Sequence, residues 1–218
     1  MQIVDANKET WTLARGIRQA AVIAAIMFSA LGLYLIVLKW RGPFGRDHIT
    51  YIEQWDAGIP FEPAWVWAYL IPYLIGPLVV GTLSSATFAW FIRRGLLLIG
   101  ITLAIFIVYP TQTHQRPHVP GTDPTARLYR DMVEIDEPPA NAAPSLHVSL
   151  TCLLAWALVR DYPRWWLPGF IGAVLVWLAT LFTRQHHVLD VVTGAALACV
   201  LALPWPVRGR GQDKGVSR

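Results

Sequence analysis

Two short histidine motifs could carry chemistry in this sequence: Pro144-Ser145-Leu146-His147, and further on His186-His187-Val188-Leu189-Asp190. Both stand at the mouths of apolar stretches. Ionisable side chains are costly beside hydrocarbon, so their presence there marks a functional site by default. On a helix, residues four apart share a face, which puts Asp190 one turn from His186. A carboxylate so placed holds one imidazole nitrogen and leaves the other to face a substrate. Toward phosphorus such a ring is a nucleophile, and the carboxylate stabilises the positive charge that develops on attack. Arg184, two residues before His186, offers a planar donor fork suited to phosphate oxygens.

His147 is the second imidazole. The Pro144-Ser145 pair before it reads as a helix start, where free backbone amides, with Ser145 among them, can meet an anion. An imidazole there could protonate a leaving alkoxide and then activate water. A third element is Arg116 in Gln115-Arg116-Pro117, a candidate phosphate clamp, with Arg127 and Arg130 as weaker ones. His187 competes with His186, being three residues from Asp190. Each residue has an ordinary alternative reading: a helix cap, an interfacial histidine, a solvated loop arginine. Arg, His, His and Asp within seven residues at a span mouth weigh against that reading.

The elements that must position these groups are apolar helices. Of 218 residues 55% are hydrophobic and 15% charged, with a mean hydropathy of +0.42. Long charge-free stretches at that composition predict an all-α polytopic membrane protein, a six-transmembrane-helix bundle. The spans read as Ile17 to Leu38, Trp65 to Leu83, about Thr87 to Tyr109, Ser145 to Val159, Trp166 to Phe182 and His187 to Leu203. The last three are near or below the ~17 residues needed to cross hydrocarbon, so they fit only inside a bundle. The first run follows Lys8, Arg15 and Arg18 like a signal peptide. It is too long for one and lacks a small-residue cleavage site, so it reads as an uncleaved anchor.

With six spans, eleven of the 18 cations fall on the side of the N-terminus, which makes that side cytoplasmic. All six histidines and ten of the fourteen acids fall on the other, where the chemistry is expected. The whole chain, 1–218, reads as one membrane-embedded catalytic domain with a short cytoplasmic N-terminus (1–16) and a mobile basic tail (208–218). The net charge of +4 reflects topology; no basic stripe interleaved with aromatics points to nucleic acid. Cys152 and Cys199 read as small packing residues, and many of the eleven tryptophans sit near span ends as an interfacial belt. Two connections stand out. Arg41 to Ala64 reads as a partly helical outer segment near substrate access. Thr111 to Ala143, long, proline-rich and acidic, leads straight to His147, and loops of that length are often functional.

The order Arg-Pro, Pro-Ser-x-His, His-x-x-x-Asp resembles the type 2 phosphatidic acid phosphatase superfamily. Its members are metal-independent lipid-phosphate phosphatases and phosphotransferases with sites related to those of vanadium haloperoxidases. The similarity spans roughly residues 104 to 200. Asp136 to Val148, with Asn141, and Thr180 to Gly194 look like the branch of inositol-phosphorylceramide and sphingomyelin synthase-like proteins. The resemblance implies His186 as nucleophile, Asp190 as its partner, His147 as general acid/base and Arg116 as a phosphate ligand, without cofactor or metal. Three positions depart from the family pattern: its lysine falls at Tyr109, its glycine at Leu146 and its Ser-Arg pair at Ala179-Thr180. Arg184 is the nearby candidate for the missing arginine's charge.

The leading expectation is therefore an integral-membrane lipid-phosphate phosphatase acting through a phosphohistidine, in a bacterial inner membrane, with membrane lipids around it. A lipid phosphotransferase shares the first half-reaction. A metal protein built on His114, His118, His147, His186 and Asp190 is a rival from another class. A transporter is a further one, although no internal repeat is visible.

Overall fold

The computed structural model describes residues 11–41, 48–113 and 116–203. The tail from Arg208, most of the expected cytoplasmic N-terminus and His114-Gln115 lie outside the described residues. The first long helix, α1 (Leu13–Arg41), matches the anchor read from the sequence. A two-residue strand β1 (His48–Ile49) and one turn of helix α2 (Glu53–Asp56) follow.

The second apolar run is broken rather than continuous. It comprises a 3-10 turn at Pro63–Trp65, then α3 (Val66–Tyr69), α4 (Ile71–Leu74) and α5 (Gly76–Gly81). Pro72 and Pro77 explain the breaks, since each lacks an N–H for the helical ladder and crowds the preceding turn. The long helix α6 (Ser85–Val108) is capped by Ser84, whose Oγ accepts from the Thr87 amide at 3.2 Å. β2 (Thr111–Gln112) pairs in parallel with β1, and α7 (Pro124–Ile135) is an amphipathic helix capped by Asp123. Three helices complete the chain: α8 (Leu146–Asp161), α9 (Trp166–Phe182) and α10 (Val188–Ala202).

Among the described residues four helical stretches are long and apolar enough to cross a bilayer: Leu13–Trp40, Pro63–Gly81, Ser85–Val108 and Pro163–Phe182. With 16 and 15 residues, α8 and α10 rise only about 24 and 22 Å, short of a ~30 Å hydrocarbon core. Their place in the packing accounts for their length. α8 is central, touching α6, α9 and α10, and its buried Cys152, Leu153 and Ala157 join Leu98, Ala198 and Leu201 in the core. Its far end is tied by Asp161, whose carboxylate accepts from the Ser84 amide and from the Ser84 and Thr87 hydroxyls.

α8 meets α10 at Gly194, where no side chain fits. A Cβ there would lie 2.7 Å from the Ser145 carbonyl and 3.1 Å from Ser149 Oγ. The Ser145 amide also donates to the Asp190 carbonyl at 3.1 Å, and Ser149 Oγ donates to the Gly194 carbonyl at 2.9 Å. Backbone contact thus fixes the two histidine motifs against each other.

Candidate active site

α9 ends at Phe182, and the chain reverses through Thr183-Arg184-Gln185 with Arg184 in the left-handed region at φ 55°. The amides of Gln185 and His186 both donate to the Thr180 carbonyl, at 3.0 and 3.1 Å. From outside, the Arg184 guanidinium donates to the carbonyls of Asp56 (3.4 Å) and Ile59 (2.5 Å). The buried Asp56 carboxylate accepts from the Val188 amide at 2.9 Å and from the Ile52 amide at 2.8 Å. The segment expected near substrate access therefore braces the start of α10. On the other side of this turn, the Tyr129 hydroxyl donates to the Thr183 carbonyl at 3.3 Å. Burial pushes that phenol up to about 12, against the pull of Arg116 and Arg184, so it stays a donor.

At the head of α10, His187 is the cap residue, in a reciprocal capping box with Asp190. Asp190 Oδ2 accepts from the His187 amide at 2.8 Å and faces His186 Nδ1 at 3.4 Å. Asp190 is fully buried, and its Oδ1 has no partner. With Nδ1 turned to the carboxylate, Nε2 of His186 is the nitrogen left for chemistry.

His147 is the second residue of α8, two after its cap Ser145, whose Oγ accepts from the Val148 amide. Its ring centroid lies 6.1 Å from that of His186, with the planes at 57°. Tyr69 stacks against His147 at 4.3 Å between centroids, its hydroxyl 3.3 Å from Nδ1, while the Tyr73 hydroxyl sits 2.6 Å from Nε2. Both ring nitrogens are thus in contact with phenols that can donate or accept. Sequence reasoning missed these tyrosines. The available signal was two hydroxyl-bearing rings four residues apart, flanking Pro72 in an otherwise apolar run.

Arg116 lies opposite. Its Nη2 pairs with Asp136 Oδ2 at 2.5 Å and its Nη1 donates to the Asp136 carbonyl at 3.2 Å. Tyr34 of α1 donates to the same carboxylate.

All of this surrounds a cavity of about 380 Å³. Arg116, Asp136, Asn141, His147, Gln185 and His186 line its polar end. Most of the rest is apolar, lined by Ile23 and Met27 of α1, Val80 of α5, Phe91 and Ile99 of α6, and Leu150 and Leu154 of α8, with Tyr34, Asp131 and Thr151 also on the wall. Such a shape takes an amphiphile, with a polar head at the histidines and a hydrocarbon part along the helices.

The structure brings together His147, His186, Asp190 and Arg116, the first two and Arg116 on the cavity wall and Asp190 directly behind. Ser145 and Arg184 stand off the wall, one as a buried helix cap and the other braced to the outer segment. Arg130 donates to the carbonyls of Val119 and Gly121, and Arg127 is exposed. Tyr109, at the family's lysine position, stacks on His48 at 4.1 Å. Among the described residues, no three His, Cys, Asp or Glu side chains gather closely enough to hold a metal ion. Two wall residues have polar atoms without partners: Gln185, at both Nε2 and Oε1, and Asn141, at Nδ2. Each such atom costs about 1–3 kcal/mol when left unsatisfied.

A carboxylate-backed imidazole, a second imidazole and an arginine thus stand at the head of a largely apolar cavity in a helical membrane protein. A family model described as the PAP2 superfamily matches residues 56–203, and the chain belongs to that superfamily, the type 2 phosphatidic acid phosphatases. It is an integral membrane protein of a superfamily whose members are phosphatases or phosphotransferases. The match begins at Asp56, so the α1 wall of the cavity, Tyr34 included, lies outside it. Comparison with curated proteins and with solved structures returned no match.

Proposed function

We propose that this protein is a lipid-phosphate phosphatase that works through a phosphohistidine on His186. One observation carries the reading: His186, backed by Asp190 at 3.4 Å, and His147 face one cavity whose lining is mostly apolar. His186 Nε2 attacks phosphorus in line, the P–N bond forms, and the bond from phosphorus to the lipid oxygen breaks. His147 gives its proton to the departing alkoxide. It then takes a proton from water, whose oxygen attacks phosphorus and breaks the P–N bond, releasing inorganic phosphate and restoring His186. Tyr73 must yield His147 Nε2 to the leaving oxygen, while Tyr69 keeps the ring in place from Nδ1. Asp190 orients His186 and stabilises its cationic phosphorylated form. Arg116 meets the phosphate. Arg184, in this reading, holds the turn that aims His186.

The bundle, on this proposal, has six spans. α8 and α10 are lengthened by flanking residues, and the histidines lie on the non-cytoplasmic face of a bacterial inner membrane. Asp136 to Val148, with Asn141, and Thr180 to Gly194 support the inositol-phosphorylceramide synthase-like branch. Phosphate release from a panel of lipid phosphates by purified protein, with chelator present, tests the reading. Release that His186→Ala abolishes is expected. An intact rate in His186→Ala, or no release from any lipid phosphate, refutes it.

A further inference from the structure

Among the described residues the cavity's polar end is short of free positive charge. Arg116 is bound by Asp136, and a second carboxylate, Asp190, stands behind His186. Arg184 is tied to two carbonyls of the outer segment, and the family's other cation positions hold Tyr109 and Thr180. A phosphate placed at His186 still has non-bridging oxygens that need donors. The same wall carries two amide side chains, Gln185 at 2% exposure and Asn141 at 3%, with unpartnered polar atoms.

Both are held by the backbone around them. The Gln185 amide donates to the Thr180 carbonyl, and Gln185 directly precedes the nucleophile. Asn141 sits at φ 59°, a left-handed conformation that asparagine adopts more readily than other side-chain-bearing residues. The residues after it are anchored on Thr111, whose Oγ1 accepts from the Ala143 amide at 2.7 Å and whose carbonyl accepts from the Ala142 amide. Donors fixed in a dry site stabilise an oxyanion without having to reorganise. Each amide group carries two N–H donors, and neither adds charge that would compete with Arg116 for Asp136.

We infer that Gln185 and Asn141 form a neutral amide cradle for the phosphate's non-bridging oxygens, in place of the charges that Tyr109 and Thr180 do not supply. The inference rests on the proposed function for its occupant, a phosphate oxyanion, and is testable by binding alone. Orthovanadate, a phosphate mimic, is titrated calorimetrically into the purified full-length protein in detergent. Gln185→Glu and Asn141→Asp keep shape and exchange donors for acceptors; each should weaken vanadate binding at least about tenfold, the worth of a hydrogen bond to a charged group. Asn141→Gly, which accepts the same backbone conformation, should weaken it likewise without adding charge. Thr102→Val, which removes an unpartnered buried hydroxyl of α6 away from the cavity wall, should leave binding unchanged and serves as the control. Thermal melting confirms that each variant is folded. Affinity within about twofold of wild type in folded Gln185 and Asn141 variants overturns the inference, as does a wild-type protein that binds no vanadate. The two readings fail separately. Amide-dependent vanadate binding without lipid-phosphate hydrolysis removes the phosphatase, while His186-dependent hydrolysis with amide-independent vanadate binding removes the cradle.

Discussion

Replacing Asp190 with asparagine isolates the charge behind His186. The fold should survive, because the asparagine side-chain oxygen can still accept from the His187 amide that Asp190 binds at 2.8 Å. What is lost is the attraction between a carboxylate and an imidazole that becomes cationic as its P–N bond forms. At the observed 3.4 Å and an effective dielectric of about 20, two unit charges attract by about 5 kcal/mol. Half a charge developed at the transition state makes that about 2.5 kcal/mol, or nearly 10²-fold in rate; a full charge makes it more than 10³-fold. The amide can also present its N–H₂ to Nδ1 and favour the wrong tautomer, which adds to the loss. The expected fall in kcat is therefore about 10²- to 10⁴-fold, with an unchanged melting temperature. The assay is steady-state phosphate release on the substrate that the lipid panel identifies. A folded Asp190→Asn enzyme within about tenfold of wild type refutes the role given to this carboxylate.

Further outcomes follow from the same geometry. His147→Gln should slow release of an alkyl phosphate by about 10²–10⁴-fold, yet still give a burst of nitrophenolate from nitrophenyl phosphate, whose leaving group needs no acid. Absence of the burst counts against His147 as the acid. Gly194→Ala should cost about 1–3 kcal/mol of stability, because its Cβ would lie 2.7 Å from the Ser145 carbonyl. By separating the two histidine motifs it should also depress kcat, and unchanged melting and kcat would contradict the close α8–α10 contact. Arg116→Ala leaves the part-buried Asp136 carboxylate with the Tyr34 hydroxyl but no countercharge, so denaturant titration should show a loss of about 1–3 kcal/mol. Adding Asp136→Asn should recover much of that stability, while KM for the lipid phosphate, raised by the loss of Arg116, stays above the wild-type value. Recovery of both would show that Arg116 serves the fold alone.

The sequence carried some of this plainly. Helices α1, α6 and α9 follow from long apolar runs, that of α6 broken by Arg93 and Arg94, and a four-residue spacing at a helix start put His186 beside Asp190. The break of the second span was also written in it, in Pro72 and Pro77, but a hydropathy window averages over such residues. Its consequence, Tyr69 and Tyr73 meeting His147, depends on a tertiary approach that no local pattern encodes. The same holds for Asp136, which reads as one acid among many in a polar loop until folding sets it on Arg116. Arg184 shows the converse. By residue type and spacing it suits phosphate, yet its left-handed backbone sends the guanidinium toward Asp56 and Ile59. No site role for Gln185 or Asn141 was legible, because a neutral amide becomes informative only once its burial and lack of partners are known.

The covalent intermediate tests the central claim most directly. Brief reaction with ³²P-labelled lipid phosphate, followed by an alkaline quench and peptide mapping, should place an acid-labile, base-stable label on His186. The label should persist longer in His147→Gln and be missing in His186→Ala. Turnover with no trapped label in either the wild type or His147→Gln, or a label carried by another residue, would contradict it.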